Sequence, residues 1–245
     1  MITLILLSLL SVSLLGCEYL IPMPESKLQS KLMSSRDIIR SSNVGVFLEV
    51  TPHYIYESSS CSFESKGSGI VYRVDDNYYY ALTNFHVINS KECENADLSV
   101  YILDHEDEED KVNAYVIATD EDLDLAVIRF LRHDFSITPV DIYARLNDPI
   151  IRGELVLSVG NPSGIDSVVT YGEFIRYTEI EQAEFPVIYH SAMIYSGNSG
   201  GALTDIDGAL LGINTWGNPS SIEGLAIPLD KIHEFLTEED LLPET

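Results

Sequence analysis

The turn Gly197-Asn198-Ser199-Gly200-Gly201, with apolar residues on both sides, places a serine hydroxyl among glycines. Glycines allow a tight turn whose backbone N–H groups converge on one point, and we predict those of Gly197 and Ser199. Converging donors beside a hydroxyl form an oxyanion hole next to a nucleophile. Glycine-rich turns that contain serine are also common in ordinary loops, so this interpretation requires a base elsewhere in the chain.

A base is predicted at His86, because the strand-like segment Ala81-Leu82-Thr83-Asn84-Phe85 runs directly into this histidine. A strand that runs directly into a histidine presents the imidazole at its end, whereas a lone histidine is more often structural. An acid is predicted at Asp124, because it stands before the apolar segment 125–128 and can be buried there against an imidazole. Nucleophile, base and orienting acid are the set that acyl transfer to serine requires. The remaining histidines lack such a setting: His53, His105, His133, His190 and His233.

Short β-rich runs separated by turn-forming residues fill most of the chain from residue 44 onward. Twelve such runs, with no helical periodicity between them, predict an all-β protein. The runs fall into two similar sets of six, which favours two six-stranded antiparallel β-barrels, one over about 44–135 and one over about 150–228. Residues 229–236 predict a closing helix with one apolar face.

The composition excludes several classes of function. The 245 residues include 39 acidic and 14 basic side chains, a formal net charge of −25, so binding of nucleic acid through its phosphates is not expected. With 45% hydrophobic residues the chain is predicted to be globular rather than disordered. The acidic run 104–110 lacks the glycine and the ligand spacing of a calcium loop, so we interpret it as a solvated hairpin tip and predict no metal.

The order His86, Asp124, Ser199 and the sequence around each of these residues resemble the HtrA (Deg) family of trypsin-like serine proteases. Further segments look like landmarks of that family, and the resemblance covers roughly residues 44–236. They are Gly67-Ser68-Gly69, Gly160-Asn161-Pro162-Ser163-Gly164, Thr170-Tyr171-Gly172, Gly212-Ile213-Asn214-Thr215 and Gly224-Leu225-Ala226-Ile227-Pro228. One segment departs from the family, since His190-Ser191-Ala192-Met193-Ile194 stands where Thr-Asp-Ala-Ala-Ile is common. Members usually carry PDZ domains after the protease domain, and about nine residues follow the predicted helix here, so the resemblance is to a protease domain without PDZ domains.

The resemblance implies a serine endopeptidase that cleaves unfolded or exposed peptide segments through an acyl-enzyme. Ser199 is then the nucleophile, His86 the general base and Asp124 the residue that orients the imidazole, with the amides of Gly197 and Ser199 as the oxyanion hole. This chemistry needs no metal or organic cofactor. The expected partner is a protein or peptide substrate, and oligomerisation stays open.

Substrate binding is also assigned by the resemblance. The residues concerned are Met193, Ile194, Asn214, Thr215, Trp216 and Gly217. The segment 215–217 looks like the strand against which an extended substrate pairs, although Trp216 would equally suit core packing. No Asp or Glu stands in the pocket, which favours small or medium apolar side chains before the scissile bond.

Two alternatives to this function remain open. The first is a non-catalytic surface binding or chaperone protein that retains the protease fold, since fold alone does not guarantee function. The second is an acid-specific endopeptidase of the related glutamyl group. That group would need a histidine and a hydroxyl in the pocket, at positions where this chain has Asn214 and Ile194.

Residues 1–17 resemble a lipoprotein signal peptide with a lipobox. An uncharged apolar run too short to span a bilayer ends at Leu14-Leu15-Gly16-Cys17, which predicts cleavage before Cys17 and a lipid on its thiol. The usual basic n-region is missing, which leaves an uncleaved anchor or an ordinary signal peptide as alternatives. The expected location is the outer face of a bacterial membrane, with a tether at 18–43 that leads into a short helix and a protease domain at 44–245.

Two further cysteines, Cys61 and Cys93, flank the strand pair that leads to His86. Export would place these cysteines in an oxidising environment, where a disulfide persists. A bridge between them and two free thiols are therefore both kept as expectations of equal weight.

The lipid anchor is tested by Cys17→Ser, which removes the thiol that would carry the lipid. We expect the variant to lose labelling by radiolabelled fatty acid and to leave the membrane fraction, while a Cys61→Ser control keeps both. Equal labelling of the two variants would refute this anchor.

Overall fold

A computed structural model describes residues 25–50, 63–89, 96–102, 111–132, 136–162, 167–217 and 224–244. These residues form two closed antiparallel barrels of six strands each. Three helices accompany the barrels, one before the first barrel, one short helix within it and one after the second. The predicted fold class, all-β with two six-stranded barrels and a C-terminal helix, is therefore confirmed.

The first barrel closes in the order β1-β2-β3-β6-β5-β4. Its strands are β1 (Asn43–Val50), β2 (Phe63–Val74), β3 (Tyr78–Thr83), β4 (Ala96–Ile102), β5 (Lys111–Asp120) and β6 (Leu125–Leu131). A short helix, α2 (Phe85–Ile88), follows β3. It stands two residues after Thr83, so the histidine predicted as base leaves the sheet at the end of a buried strand.

The second barrel closes in the order β10-β11-β12-β9-β8-β7. Its strands are β7 (Leu155–Gly160), β8 (Val168–Ile180), β9 (Ala183–His190), β10 (Ala202–Asp205), β11 (Leu210–Gly217) and β12 (Gly224–Pro228). The segment 191–201 connects β9 to β10 and contains the predicted nucleophile. Each barrel therefore contributes a connection between strands to the candidate site.

Strand β6 shows why the barrels dock. Its side chains are buried on both faces, since Ala126, Ile128 and Phe130 lie in the cluster inside barrel one, while Leu125 and Val127 join a different cluster. That second cluster also contains side chains of β7, β10 and β11. The first four residues of the strand, 125–128, are buried on both faces and so require a partner layer, which barrel two supplies.

The terminal helices pack on this shared core. Helix α3 (Leu229–Glu238) buries Ile232, Phe235 and Leu236 against it. Helix α1 (Glu25–Ser42) buries Ile39 in the same cluster.

Helix α1 is longer than the short helix expected after a tether. Two hydroxyls anchor its C-terminal half, because Ser35 donates to the carbonyl of Ile206 and Ser42 Oγ donates to that of Thr138 at 2.5 Å. These partners lie far along the chain, so the sequence of the helix alone could not show them. No helix among the described residues combines the length and apolar character needed to cross a membrane.

Gly172 on β8 lies against the segment that leads to the nucleophile. A Cβ atom at this position would stand 2.0 Å from the backbone nitrogen of Ala192 and 2.5 Å from the carbonyl carbon of Ser191. Neither backbone atom can move without shifting the chain, so this close approach requires glycine.

We expect Gly172→Ala to lower the free energy of unfolding by about 3 kcal/mol, because the added methyl overlaps with backbone. The matched control is Gly153→Ala, whose Cβ would meet nothing within 4 Å although its φ is +84°. The control carries only the left-handed backbone cost of about 1–2 kcal/mol. Urea unfolding of both variants measures the difference, and equal losses would contradict the steric account.

Candidate active site

His86 and Asp124 form a hydrogen-bonded pair at the edge of barrel one. Nδ1 of His86 stands 2.8 Å from Oδ2 and 3.0 Å from Oδ1 of Asp124, and the backbone N–H of His86 donates to Oδ1 at 3.0 Å. The side chain of Asp124 is 8% exposed, whereas that of His86 is 46% exposed. The acid is thus buried behind an imidazole that faces the open cleft, and its acceptor oxygens keep a proton on Nδ1.

The backbone at Asp124 explains how an acid at the start of a strand reaches the histidine. Asp124 has a φ of 54°, a left-handed conformation that aspartate tolerates better than most side chains. Its carbonyl accepts from Phe85 N at 3.2 Å and from Asn84 Nδ2 at 2.9 Å. The residues just before His86 therefore hold the turn that presents the acid.

Thr215 on β11 contacts both the acid and the nucleophile. Its hydroxyl donates to Oδ2 of Asp124 at 2.5 Å, and its carbonyl accepts from Ser199 Oγ at 3.0 Å. In the described part of the chain, Nε2 of His86 makes no hydrogen bond. Rotation about χ1 can release the hydroxyl of Ser199 from the carbonyl of Thr215. Catalytic hydrogen bonds often form with short distances only when substrate binds.

The nucleophile lies in a sequence of tight turns. Asn198 N donates to Tyr195 O at 3.0 Å across a turn in which Gly197 has a φ of 101°. A type II turn requires such a value at its third residue, and only glycine adopts it without strain. Next, Gly201 N donates to Asn198 O at 3.0 Å, with Gly200 at a φ of 88°. These turns fix the backbone on both sides of Ser199, and the oxyanion hole formed by the amides of Gly197 and Ser199 stays a prediction.

Ser68 on β2 holds this loop from the other barrel. Its N–H donates to Ser199 O at 2.8 Å, and its Oγ donates to Gly197 O at 2.7 Å. The same Oγ accepts from the N–H of Asn161 at 2.7 Å, so the fully buried hydroxyl is engaged both as a donor and as an acceptor. Because these bonds fix the carbonyls of Gly197 and Ser199, Ser68 orients the nucleophile loop.

The residues predicted to bind substrate lie around the same loop. Met193 and Ile194 are half-buried, and the carbonyl of Met193 accepts from Thr170 Oγ1 at 2.8 Å. Asn214 is fully buried inside barrel two, and its amide nitrogen donates to Ser158 Oγ at 2.9 Å and to Ala202 O at 3.0 Å. Trp216 and Gly217 continue β11 beyond Thr215. Cys17, Cys61 and Cys93 lie outside the described residues, so the lipid site and the disulfide stay predictions.

The sequence did not identify Ser68 or Asn84 as site residues. It identified Thr215 as a substrate-binding residue but not as a partner of Asp124. Ser68 lies in the Gly67-Ser68-Gly69 segment, which resembles the HtrA family but to which the sequence assigned no role. Asn84 stands two residues before His86, and the sequence assigned it no role. Their roles follow from contacts between distant segments, which spacing along the chain does not show.

The comparison with protein families gives one match over most of the described barrels. Residues 67–213 match the model of the trypsin-like peptidase domain. These residues run from the segment that carries Ser68 to strand β11, and so include the whole His86, Asp124 and Ser199 set.

Similar proteins are HtrA-type proteases. Protease Do-like 1 of Arabidopsis thaliana chloroplasts is 32% identical over 179 residues, which cover 69% of this chain and 38% of that protein. Serine protease HTRA1 of Xenopus tropicalis is 32% identical over 183 residues, covering 71% of this chain and 36% of that protein. The crystal structure of the serine endoprotease from Yersinia pestis superimposes with a TM-score of 0.63 at 26% identity, over 85% of this chain and 66% of that one. The chain thus spans between a third and two fifths of the length of the curated relatives.

Two docked six-stranded barrels with a histidine, a buried aspartate and a serine between them define the class of trypsin-like peptidase domains. The chain belongs to the trypsin-like peptidase family, and its relatives mark it as an HtrA-type protease domain.

Ser68→Ala tests whether this hydroxyl orients the nucleophile loop. Removing it leaves Gly197 O and Asn161 N without their partner, so we expect kcat to fall about tenfold with KM nearly unchanged. Ser99→Ala is the matched control, since Ser99 is also a buried serine of barrel one but lies on β4. If both variants lose stability and neither loses kcat, Ser68 is structural only.

Proposed function

We propose that this protein is a serine endopeptidase that cleaves peptide bonds through an acyl-enzyme. The hydrogen-bonded pair of His86 and Asp124 carries the proposal, because a buried carboxylate on Nδ1 leaves Nε2 as the base that faces the cleft. The turn at Gly197–Ser199 supplies the complementary half, a hydroxyl beside two backbone donors. The fold alone does not require a histidine–aspartate pair and a serine turn to occur together, so their presence in one chain supports a catalytic role.

The proposed reaction begins when Ser199 Oγ attacks the substrate carbonyl carbon and transfers its proton to Nε2 of His86. Asp124 stabilises the imidazolium that forms and keeps its orientation. The amides of Gly197 and Ser199 donate to the oxyanion, and each such donor contributes about 3 kcal/mol to the transition state in comparable sites. His86 then protonates the leaving amine, and water hydrolyses the acyl-enzyme by the reverse sequence of proton transfers.

The proposed substrate is a protein or peptide segment in extended conformation. Strand β11 leads from Thr215, whose carbonyl contacts the nucleophile, into Trp216 and Gly217. An extended substrate can add to the edge of this segment through main-chain hydrogen bonds. Unfolded or exposed segments meet that requirement, while folded proteins do not present their backbone in this way. Oligomerisation would also fit this function and is left open.

We further propose that the protein is exported and held at a bacterial membrane by a lipid on Cys17. The apolar run that ends in Leu14-Leu15-Gly16-Cys17 supports this location. The segment 18–24 then separates the lipid from helix α1, so the cleft would work close to the membrane surface.

The proposal is tested with a fluorophosphonate probe and with casein as an unfolded substrate. Ser199→Ala and His86→Ala should each abolish probe labelling and lower kcat on casein by a factor on the order of 10⁶, since triad residues act as one unit. His233→Ala on α3 serves as the histidine control and should keep both activities. Casein that binds the wild-type protein without being cleaved, in the absence of probe labelling, would instead favour a non-catalytic binding protein with this fold.

A further inference from the structure

Asn43, the first residue of β1, carries a fully buried amide that bonds to barrel two. Its Nδ2 donates to Asn161 Oδ1 and to Ser167 Oγ, both at 2.7 Å. These two bonds use both protons of the amide. Asn161 directly follows β7, and Ser167 directly precedes β8. The amide therefore fixes both ends of the connection between the first two strands of barrel two to the first strand of barrel one.

The register of β1 and β2 directs Asn43 toward barrel two. Asn43 pairs with Ile70, and Gly45 pairs with Ser68. Paired residues share a face of the sheet, as do residues two apart on one strand. Ile70 belongs to the core cluster that also contains side chains of barrel two, whereas Val44 packs inside barrel one. Asn43 and Ser68 thus lie on the same face of the sheet, the face that barrel two covers.

Asn161 connects Asn43 to the residue that holds the nucleophile loop. The side chain of Asn161 accepts from Asn43, while its backbone N–H donates to Ser68 Oγ at 2.7 Å. The same hydroxyl of Ser68 donates to Gly197 O at 2.7 Å, two residues before the nucleophile. Asn43, Asn161 and Ser68 are all buried, so water does not replace these bonds. A continuous series of hydrogen bonds therefore runs from the start of β1 to the nucleophile loop.

The end of β7 also packs directly against the nucleophile loop. A Cβ atom on Gly160 would stand 2.7 Å from Asn198 Cα, and one on Gly201 would stand 2.0 Å from Val159 O. Asn198 and Gly201 lie on either side of Ser199. Because such closely packed backbone segments transmit displacements, a shift of residues 159–161 moves the backbone around the nucleophile.

We propose that Asn43 is a positioning residue for the nucleophile and acts through Asn161 and Ser68 on the loop that carries Ser199. This inference rests on the proposed peptidase function. The side-chain bonds of Asn43 go to Asn161 and Ser167 rather than to the triad, so its effect on the reaction is indirect. A displaced hydroxyl slows attack on the substrate carbonyl but leaves substrate binding nearly intact. Loss of the amide should therefore lower kcat and leave KM almost unchanged.

The proposal is tested with Asn43→Ala, and Ser42→Ala is the matched control. Ser42 is equally buried, and its hydroxyl donates to Thr138 O, in the connection between β6 and β7 and away from the nucleophile loop. We expect Asn43→Ala to lower kcat about tenfold with KM within about twofold, because Asn161 loses its buried donor. Ser42→Ala should lower the free energy of unfolding to a similar extent and leave kcat unchanged.

A second variant, Asn161→Ala, keeps the test decisive if Asn43→Ala does not fold. It removes the acceptor of the Asn43 bond but retains the backbone N–H that donates to Ser68. The same fall in kcat of about tenfold is expected, because the end of β7 is released from β1 in both variants.

A double-mutant cycle with Ser68→Ala tests the proposed connection. Independent tenfold losses would multiply to about one hundredfold in Asn43→Ala/Ser68→Ala, whereas residues of one network are not additive. We expect the double variant to lose little more kcat than Ser68→Ala alone.

Hydrogen exchange measures the nucleophile loop without relying on catalysis. The amides of Asn198, Gly200 and Gly201 all donate to backbone carbonyls and should exchange slowly while the loop is held. In Asn43→Ala they should exchange about tenfold faster relative to the amides of β4. The amides of β4 provide the reference because a uniform loss of stability would accelerate both groups equally.

The outcomes separate the two proposals. A wild-type protein with neither probe labelling nor cleavage refutes the peptidase function, and hydrogen exchange then still decides whether Asn43 fixes the loop. Unchanged kcat in Asn43→Ala and Asn161→Ala, an equal loss of kcat in Ser42→Ala, or a hundredfold loss in the double variant would each overturn the role of Asn43 alone. Loop amides that exchange no faster than those of β4 would overturn it as well.

Discussion

The carboxylate of Asp124 lies between the two barrels and accepts hydrogen bonds from both. Two donors are the N–H and Nδ1 of His86, on the segment after β3, and the third is Thr215 Oγ1 on β11. A charge removed from water needs several donors, and their loss would leave it uncompensated. Because one donor belongs to barrel two, the carboxylate is fully satisfied only when the barrels are docked. The carboxylate that orients the imidazole therefore has all three of these donors only once the two barrels have docked.

Ser68 repeats this arrangement without a charge. It belongs to barrel one, but its N–H and hydroxyl hold the carbonyls of Ser199 and Gly197 on barrel two. The nucleophile loop is thus fixed from the opposite barrel, as the acid is by Thr215. Positive φ angles at Gly197 and Gly200 let the loop make these contacts without strain. The contacts of Thr215 with Asp124 and of Ser68 with the nucleophile loop connect the two barrels across an apolar interface. Apolar contacts alone would not fix the position of the nucleophile loop relative to His86 and Asp124.

The sequence was most informative where chemistry and local structure coincide. The turn around Ser199, the strand that ends at His86 and the acid before β6 all carry short-range patterns, and two sets of six strands predicted two barrels. Contacts between distant segments could not be predicted in this way. The hydroxyl of Thr215 looked like part of a substrate strand, yet it binds the acid 91 positions away. Helix α1 likewise looked like a tether because the partners that stabilise it follow it by 96 and 171 residues.

Burial and hydrogen bonding go together around the catalytic set. Asp124 and Ser68 are both buried, and both obtain partners from distant segments, so the chain itself satisfies them. A buried polar group that loses its partner costs about 1–3 kcal/mol, so separation of the barrels would remove these bonds as well as the apolar contacts of the interface. Catalytic geometry therefore depends on the interface between the barrels, and the docked arrangement of the barrels is stabilised in part by the same residues that carry the chemistry.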